Sequence, residues 1–439
     1  MTTTASTLTI KNGVTASGLT SLQESAVRKA FFRLVPILAF AHFVNYLDRV
    51  NVGYAALTMN KDLGLTATQF GFGAGIFFIG YCAAEVPSSL ALYRFGARLW
   101  LTRIMLSWGL ASAATAFATG PNSYAIIRFI VGIAEAGSFP GTIYLLSMFI
   151  PVQHRSRLLA WLFLAVPLSS IIGAPLSTWI LQMDGILGLR GWQWMFIIEG
   201  LPACICGILT FVLIADSPAK AKWLTPEERE ALTHALKSEK REREKTAFWS
   251  MLVDSRVLLL SAIAFFWTVA IQGTNIWMPL ILKSFGSLTN MEIGFLTAIP
   301  NLIGCAIMIP WAAQIDKSRK YIKNFALGVL IAAVGCAVSV TVHSLAVTFF
   351  GLTLAVIGIT VTRPMLYAIP ARFLTGAAAA GGLGVINGIG NLGGFTGPYI
   401  LGWAKDATGS FGAGMYALAI SLMICIGLTL SMKLAMKQE

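Results

Sequence analysis

Twelve apolar runs, each about as long as a helix must be to cross a bilayer, constrain this 439-residue chain more than any other feature. They fall at 32–52, 70–92, 99–118, 121–147, 158–181, 193–214, 256–280, 291–313, 322–342, 345–370, 380–403 and 412–433. No water reaches the hydrocarbon to satisfy peptide groups, so only helices and closed barrels span it, and barrel strands read as alternating segments of roughly ten residues. The expected fold class is therefore an all-α membrane protein with twelve transmembrane helices. Most connections are short, but 215–255 is long and divides the runs six plus six. The predicted organisation is a tail at 1–31, a six-helix bundle at 32–214, a linker with a short helix at 215–255, a second six-helix bundle at 256–433 and a tail at 434–439. The two bundles are expected to be pseudo-symmetric, because Gly173-Ala174-Pro175 and Gly397-Pro398 interrupt corresponding spans of the two halves.

Composition agrees. Apolar residues make up 56% of the chain and charged residues 12%, against roughly 25% charged in soluble domains, which excludes disorder and argues against a soluble enzyme. The six cysteines lie inside apolar stretches without CxxC or Cys/His ligand spacing and read as small buried hydrophobes, so no metal or cofactor is expected. The first thirty residues are polar and carry no signal-peptide pattern.

The net charge of +13 sorts by side of the membrane. Twenty-five lysines and arginines fall on the side of the two termini and the linker, and four (Lys61, Arg190, Lys283 and Lys405) on the other. This bias predicts that both termini are cytoplasmic, in an inner (plasma) membrane protein. It leaves no basic soluble domain for nucleic acid. In the linker, Thr225-Pro226-Glu227-Glu228 is a capping box with Pro at the first helical position, so a mixed-charge helix is expected to about Lys245, either tying the halves together or meeting a partner.

Asp48, Arg49, Arg128, Glu135 and Arg363 are ionisable residues within the spans. Facing lipid they would together cost on the order of 15 kcal/mol, so they must face one another or a wet cavity. Asn45, Asp48, Arg49 and Val52 follow helical spacing in the first span, and Arg128 and Glu135 lie two turns apart in the fourth. A buried acid beside a guanidinium suits proton coupling and the guanidinium suits anion binding, although buried ion pairs that only fix packing look alike. Glu85 can pair with a loop arginine or couple protons, Tyr81 can reach a cavity as a donor, and His42 and Glu199 read as packing residues. The second half offers Trp267, Gln272, Asn275 and Trp277 in the seventh span and Asn387, Gly390, Asn391 and Gly394 on one face of the eleventh. Their amides suit hydroxyl and carboxylate ligands, or hydrogen bonds between helices. Arg363 can be a second anion clamp or can reach to an interface.

The set formed by Asn45-Tyr46-Leu47-Asp48-Arg49-Val50-Asn51, Glu85-Val86-Pro87-Ser88, Arg94–Arg98, Arg128–Pro140, Leu224–Glu228 and Asn387–Pro398 resembles the major facilitator superfamily. It is most similar to the anion:cation symporter family, with its tartrate, phthalate, hydroxyphenylacetate and sugar-acid permeases. The resemblance covers about residues 30–433 and implies two six-helix halves that rock about a central site. It implies proton uptake at Asp48 and Glu135, substrate carboxylate on Arg49, an Arg128–Glu135 pair, and a cavity lined by Tyr46, Tyr81 and the eleventh-span Asn387 and Asn391. Two positions depart from the pattern. Pro167-Leu168-Ser169-Ser170 stands where some sugar-acid permeases carry a Gln, and Arg363 where relatives carry a small residue. The expectation is thus a non-enzymatic, monomeric carrier that imports a small mono- or dicarboxylate with protons, by alternating access, through contacts that include Gln272, Asn275 and Arg363. The alternative is an anion exchanger without net proton flow.

Overall fold

The computed structural model describes residues 20–241, 254–370 and 376–435. Parts of the expected tails (1–19 and 436–439), the end of the expected linker helix and Arg372 lie outside the described residues. Within them the chain is helical throughout apart from short turns: α1 (Ser21–Asp62), α2 (Ala67–Phe95), α3 (Ala97–Ala114), α4 (Pro121–Glu135), α5 (Ser138–Ser147), α6 (Val152–Ile180), α7 (Gly191–Leu213), α8 (Pro226–Arg241), α9 (Ser255–Lys283), α10 (Asn290–Ser318), α11 (Tyr321–Val338), α12 (Leu345–Ala368), α13 (Gly376–Thr408) and α14 (Gly412–Ala435). With α4 and α5 as one broken passage and α8 in the linker, these are the twelve expected spans. Among the described residues ten passages are both long and apolar enough to cross a membrane. The passages built on α3 and α13 are outside those ten; α3 carries Arg98 and Arg103, and α13 is rich in glycine and carries two asparagines.

Helix starts follow from capping chemistry. Thr20, Thr66 and Thr289 each cap with Gln or Glu three residues on, satisfying amides that have no partner inside the helix. Thr20 moves the first helix start to Ser21, so the stretch before residue 32 is in part helix rather than tail. Its polar first turns dock on α8: Gln23 donates to the Ala231 carbonyl, Ser25 to Glu228 at 2.8 Å, and Lys29 pairs with Glu228 at 2.8 Å.

In the first half α1 packs on α6 and α7, α2 on α4, and α3 on α7; in the second, α9 packs on α13 and α14, α11 on α12 and α14, and α10 on α12. The halves meet where α2 crosses α13, α6 crosses α10 and α1 crosses α9. On the face away from the termini this seam is tight, and the apolar core of the second half runs on into the first through Phe70 and Trp277, whose ring centroids are 5.1 Å apart. Gly71 allows the approach, since a β-carbon there would stand 2.3 Å from the Pro398 carbonyl oxygen. Tyr54 donates to Thr297 across the seam at 2.9 Å.

Asp406, at the far end of α13, accepts hydrogen bonds from the first two amides of α2, Ala67 at 3.1 Å and Thr68 at 2.7 Å. A carboxylate from one half thus caps a helix of the other, in a structure closed on the far face. Desolvation works against its charge, but the hydrogen bonds from Thr68 and Ala67 hold its pKa below the ordinary value. Because closure depresses that pKa, the stabilisation is complete above the ordinary carboxylate range and is lost as pH falls through the closed-state value. Asp406→Ala should weaken far-face closure by about 0.5–2 kcal/mol. Spin-label distances between the far ends of α2 and α13 should lengthen in it, and unchanged distance populations would deny Asp406 this role.

Candidate functional site

Successive residues of a helix point about 100° apart, and α1 uses this to send its two charges different ways. Arg49 turns to the centre of the first half. Its Nε donates to Glu135 Oε1 at 2.8 Å and its Nη2 donates to the same oxygen. Three rings surround its guanidinium, with Tyr81 at 5.1 Å and Tyr46 and Phe77 at 5.3 Å from Cζ to the ring centroid. Electron-rich ring faces and the carboxylate together hold the cation in a place with little water.

Asp48 turns the other way, into the bundle, and is 1% exposed. It accepts from Trp108 Nε1 at 2.9 Å, from the Ser112 hydroxyl and from Asn51 at 3.4 Å. Glu199, also buried, joins the same polar interior: Ser177 donates to it at 2.7 Å and Asn51 reaches its carboxyl. Its second oxygen has no partner among the described residues. Asp48 and Glu135, expected together as proton acceptors, thus belong to separate networks.

The fourth span, expected to be continuous over 121–147, breaks between Glu135 and Ser138. Ala136 is extended, with ψ 135°, and Gly137 takes φ +85°, a left-handed conformation that favours glycine. Ser88 donates to the carbonyl freed at Ala136 at 2.6 Å. At this break Glu135 lies against α1, and this corrects the expected pairing: Glu135 bonds Arg49, not Arg128. The buried Arg128 instead stacks on Phe77, 5.1 Å from the ring centroid, and its Nε and Nη1 have no hydrogen-bond partner among the described residues.

From the second half Arg363 reaches the same centre. Its Cζ is 6.0 Å from the Tyr46 centroid and 5.7 Å from that of Trp267, which its own hydrogen bond to Thr362 fixes. Arg49 and Arg363 therefore approach one tyrosine from the two halves. Of the choices open in the sequence, Arg363 takes the inward one. His42 lies beside Tyr46, ring centroids 5.0 Å apart, with its Nε2 buried and unpartnered.

Glu85 is a second correction. It faces α13 rather than a loop arginine: Asn387 hydrogen-bonds it, and the neighbouring Cys82 donates to the Gly388 carbonyl at 3.4 Å. Asn391, one turn beyond Asn387, and Gln272 on α9 are half-buried, and no side-chain bond joins either to the arginines. Asn275 stands off toward the far face, where it lines a cavity of about 10 Å³ with Tyr54, Ser170, Thr297 and Asn301, room for a water and no more. Phe77, Trp108 and Ser112 are site residues that the sequence did not single out; as common apolar or small residues within spans they carry no signal of their own.

The described residues contain no group of histidines, cysteines and acids able to hold a metal. The arrangement is three guanidiniums in an aromatic setting, Arg49, Arg128 and Arg363, and Arg49 is masked by an acid. It can exchange that acid for an external anion.

The chain is similar to known carriers over nearly its whole length. It is 43% identical over 411 residues to a "Putative tartrate transporter" of Agrobacterium vitis, covering 93% of this chain and 91% of the relative. It is 38% identical over 410 residues to a "Quinolone resistance transporter" of Acinetobacter baumannii, covering 93% and 94%. Among solved structures, a D-xylose-proton symporter superposes with a TM-score of 0.72 at 14% identity over 92% of this chain and 97% of that one, a likeness of fold alone. The sequence model described as Major Facilitator Superfamily matches residues 38–398. The chain belongs to the major facilitator superfamily, as a multi-pass membrane protein and a secondary transporter rather than an enzyme.

Proposed function

We propose that this transporter imports a small organic anion, a mono- or dicarboxylate, together with protons. The observation that carries the reading is the Arg49–Glu135 pair. Ionised Glu135 occupies the guanidinium that an anionic cargo needs, and a proton on Glu135 frees it. Proton and carboxylate then bind together because the proton removes the competing carboxylate. Arg49 rather than Arg128 is the arginine released, in contrast to what the resemblance implies. Asp48, with Glu199 in its network, is the second proton site. Both termini face the cytoplasm by the excess of basic residues on their side. With the far face closed, the arrangement suits release of cargo to the inside. One chain carries both arginines, which supports action as a monomer.

Arg49 and Arg363, on opposite halves, suit a dicarboxylate with one end on each, and the tartrate name of one relative agrees with that class. Thermal stability of the purified protein across a carboxylate library should rise most with short dicarboxylates, since a ligand of the folded state stabilises it. The dicarboxylate preference should vanish in Arg363→Ala. Shifts with monocarboxylates alone, or a preference that survives the substitution, end the two-clamp reading. Arginines on both halves also suit anion exchange; uptake that requires an anion on the opposite side and ignores pH would establish that instead.

A further inference from the structure

We propose that a groove on the terminal face, between α1, the end of α7 and the linker, binds the headgroup and upper acyl chain of an anionic phospholipid. The groove has a volume of about 530 Å³ and lies away from the Arg49 centre. Its α1 wall changes character along the helix. Arg28, Lys29 and Arg33 come first, and Phe32, Pro36 and Ile37 follow toward the membrane. Leu213 and Trp223 close the other side. From Arg28 to Pro36 the helix rises roughly 12 Å, so a cationic end passes into an apolar one within the depth of a lipid headgroup and its first methylenes. A phospholipid carries the complementary gradient.

The cations are not equally committed. Lys29 is held by Glu228, and Arg33 donates its Nε to the Leu213 carbonyl at 3.3 Å. Arg28 is exposed and makes no hydrogen bond or ion pair among the described residues. Phe32 is 71% exposed, an apolar side chain that needs a hydrocarbon neighbour. Trp223 lines the groove, and its buried indole N–H finds no acceptor among the described residues. Basic pockets beside membrane helices attract anionic headgroups. An organic anion without a chain would satisfy the arginines and leave Phe32, Pro36 and Ile37 in water, so the apolar end selects the lipid. Because Lys29 also holds α8, a lipid seated here would fasten the linker to the first half.

The test uses the full chain in a neutral detergent. Thermal midpoints are recorded against dioleoyl phosphatidylglycerol, dioleoyl phosphatidylcholine and inorganic phosphate, for the wild type and for Arg28→Gln/Arg33→Gln. The expected result is an apparent affinity about tenfold or more higher for phosphatidylglycerol than for phosphatidylcholine, reduced to parity in the variant. Equal response to both lipids overturns the proposal, as does a phosphatidylglycerol preference that survives in the variant. If inorganic phosphate alone reproduces the whole effect, the site takes a soluble anion and the lipid reading fails. Should the double variant not fold, Arg28→Gln alone serves, since Arg28 makes no hydrogen bond or ion pair among the described residues, and it should lower the preference severalfold; an unchanged preference then overturns the proposal.

Discussion

Arg49→Lys should lower cargo affinity by about a hundredfold or more while leaving the protein folded. Lysine keeps the charge, but its ammonium is a compact point that cannot present two parallel donors to a carboxylate. Arg49 now donates twice to Glu135 from within a ring cage of Tyr46, Phe77 and Tyr81. Both donors converge on one Glu135 oxygen, and a cargo carboxylate in its place can engage the planar fork with both of its oxygens, which lysine cannot offer. Isothermal titration with the best anion from the library measures the loss. Arg128→Lys is the control, because Arg128 pairs with no acid among the described residues, and its affinity should fall less. Equal affinities for wild type and Arg49→Lys would take Arg49 out of the site.

Glu135→Gln should separate binding from energy coupling. Glutamine cannot ionise, so Arg49 is no longer masked by a charge. Wild-type affinity for the anion should rise as pH falls, because protonation removes the competing carboxylate from Arg49; in the variant that dependence should flatten. In proteoliposomes the variant should lose uphill uptake driven by a pH gradient and keep counterflow, which needs only binding and rocking. Undiminished gradient-driven accumulation would sink the coupling role of Glu135. Loss of both activities with intact folding would point to a structural role for the pair.

The membrane fold was legible in the sequence because its rule is coarse: a run of about twenty apolar residues must be a helix. The intramembrane charges were legible for a related reason, since hydrocarbon tolerates no charge without a use. Their partners were not. Asp48 and Arg49 are neighbours in sequence, and only the rotation of α1 against α3 and α4 decides which one meets Trp108 and which Glu135. The break at Ala136–Gly137 goes with the exchange of Arg128 for Arg49 as the partner of Glu135, and it depends on Ser88 of a different helix accepting the role of cap. Glu85 and Arg363 find their surroundings across the seam, at Asn387 and Tyr46. Spacing along one helix reports a face; it cannot report what the other half brings to that face.

The borrowed cap at Asp406 has a consequence for the working cycle. When the halves part on the far face, the Ala67 and Thr68 amides lose the Asp406 carboxylate and must take water in its place. The close contact of Gly71 with the Pro398 carbonyl, which also accepts from the Trp277 indole, is wetted with them. Closing returns all of this water to bulk. The carrier's choice between its two orientations is therefore coupled to water activity as well as to cargo and protons. A concentrated medium outside, with less free water to give, biases the empty protein toward the closed far face.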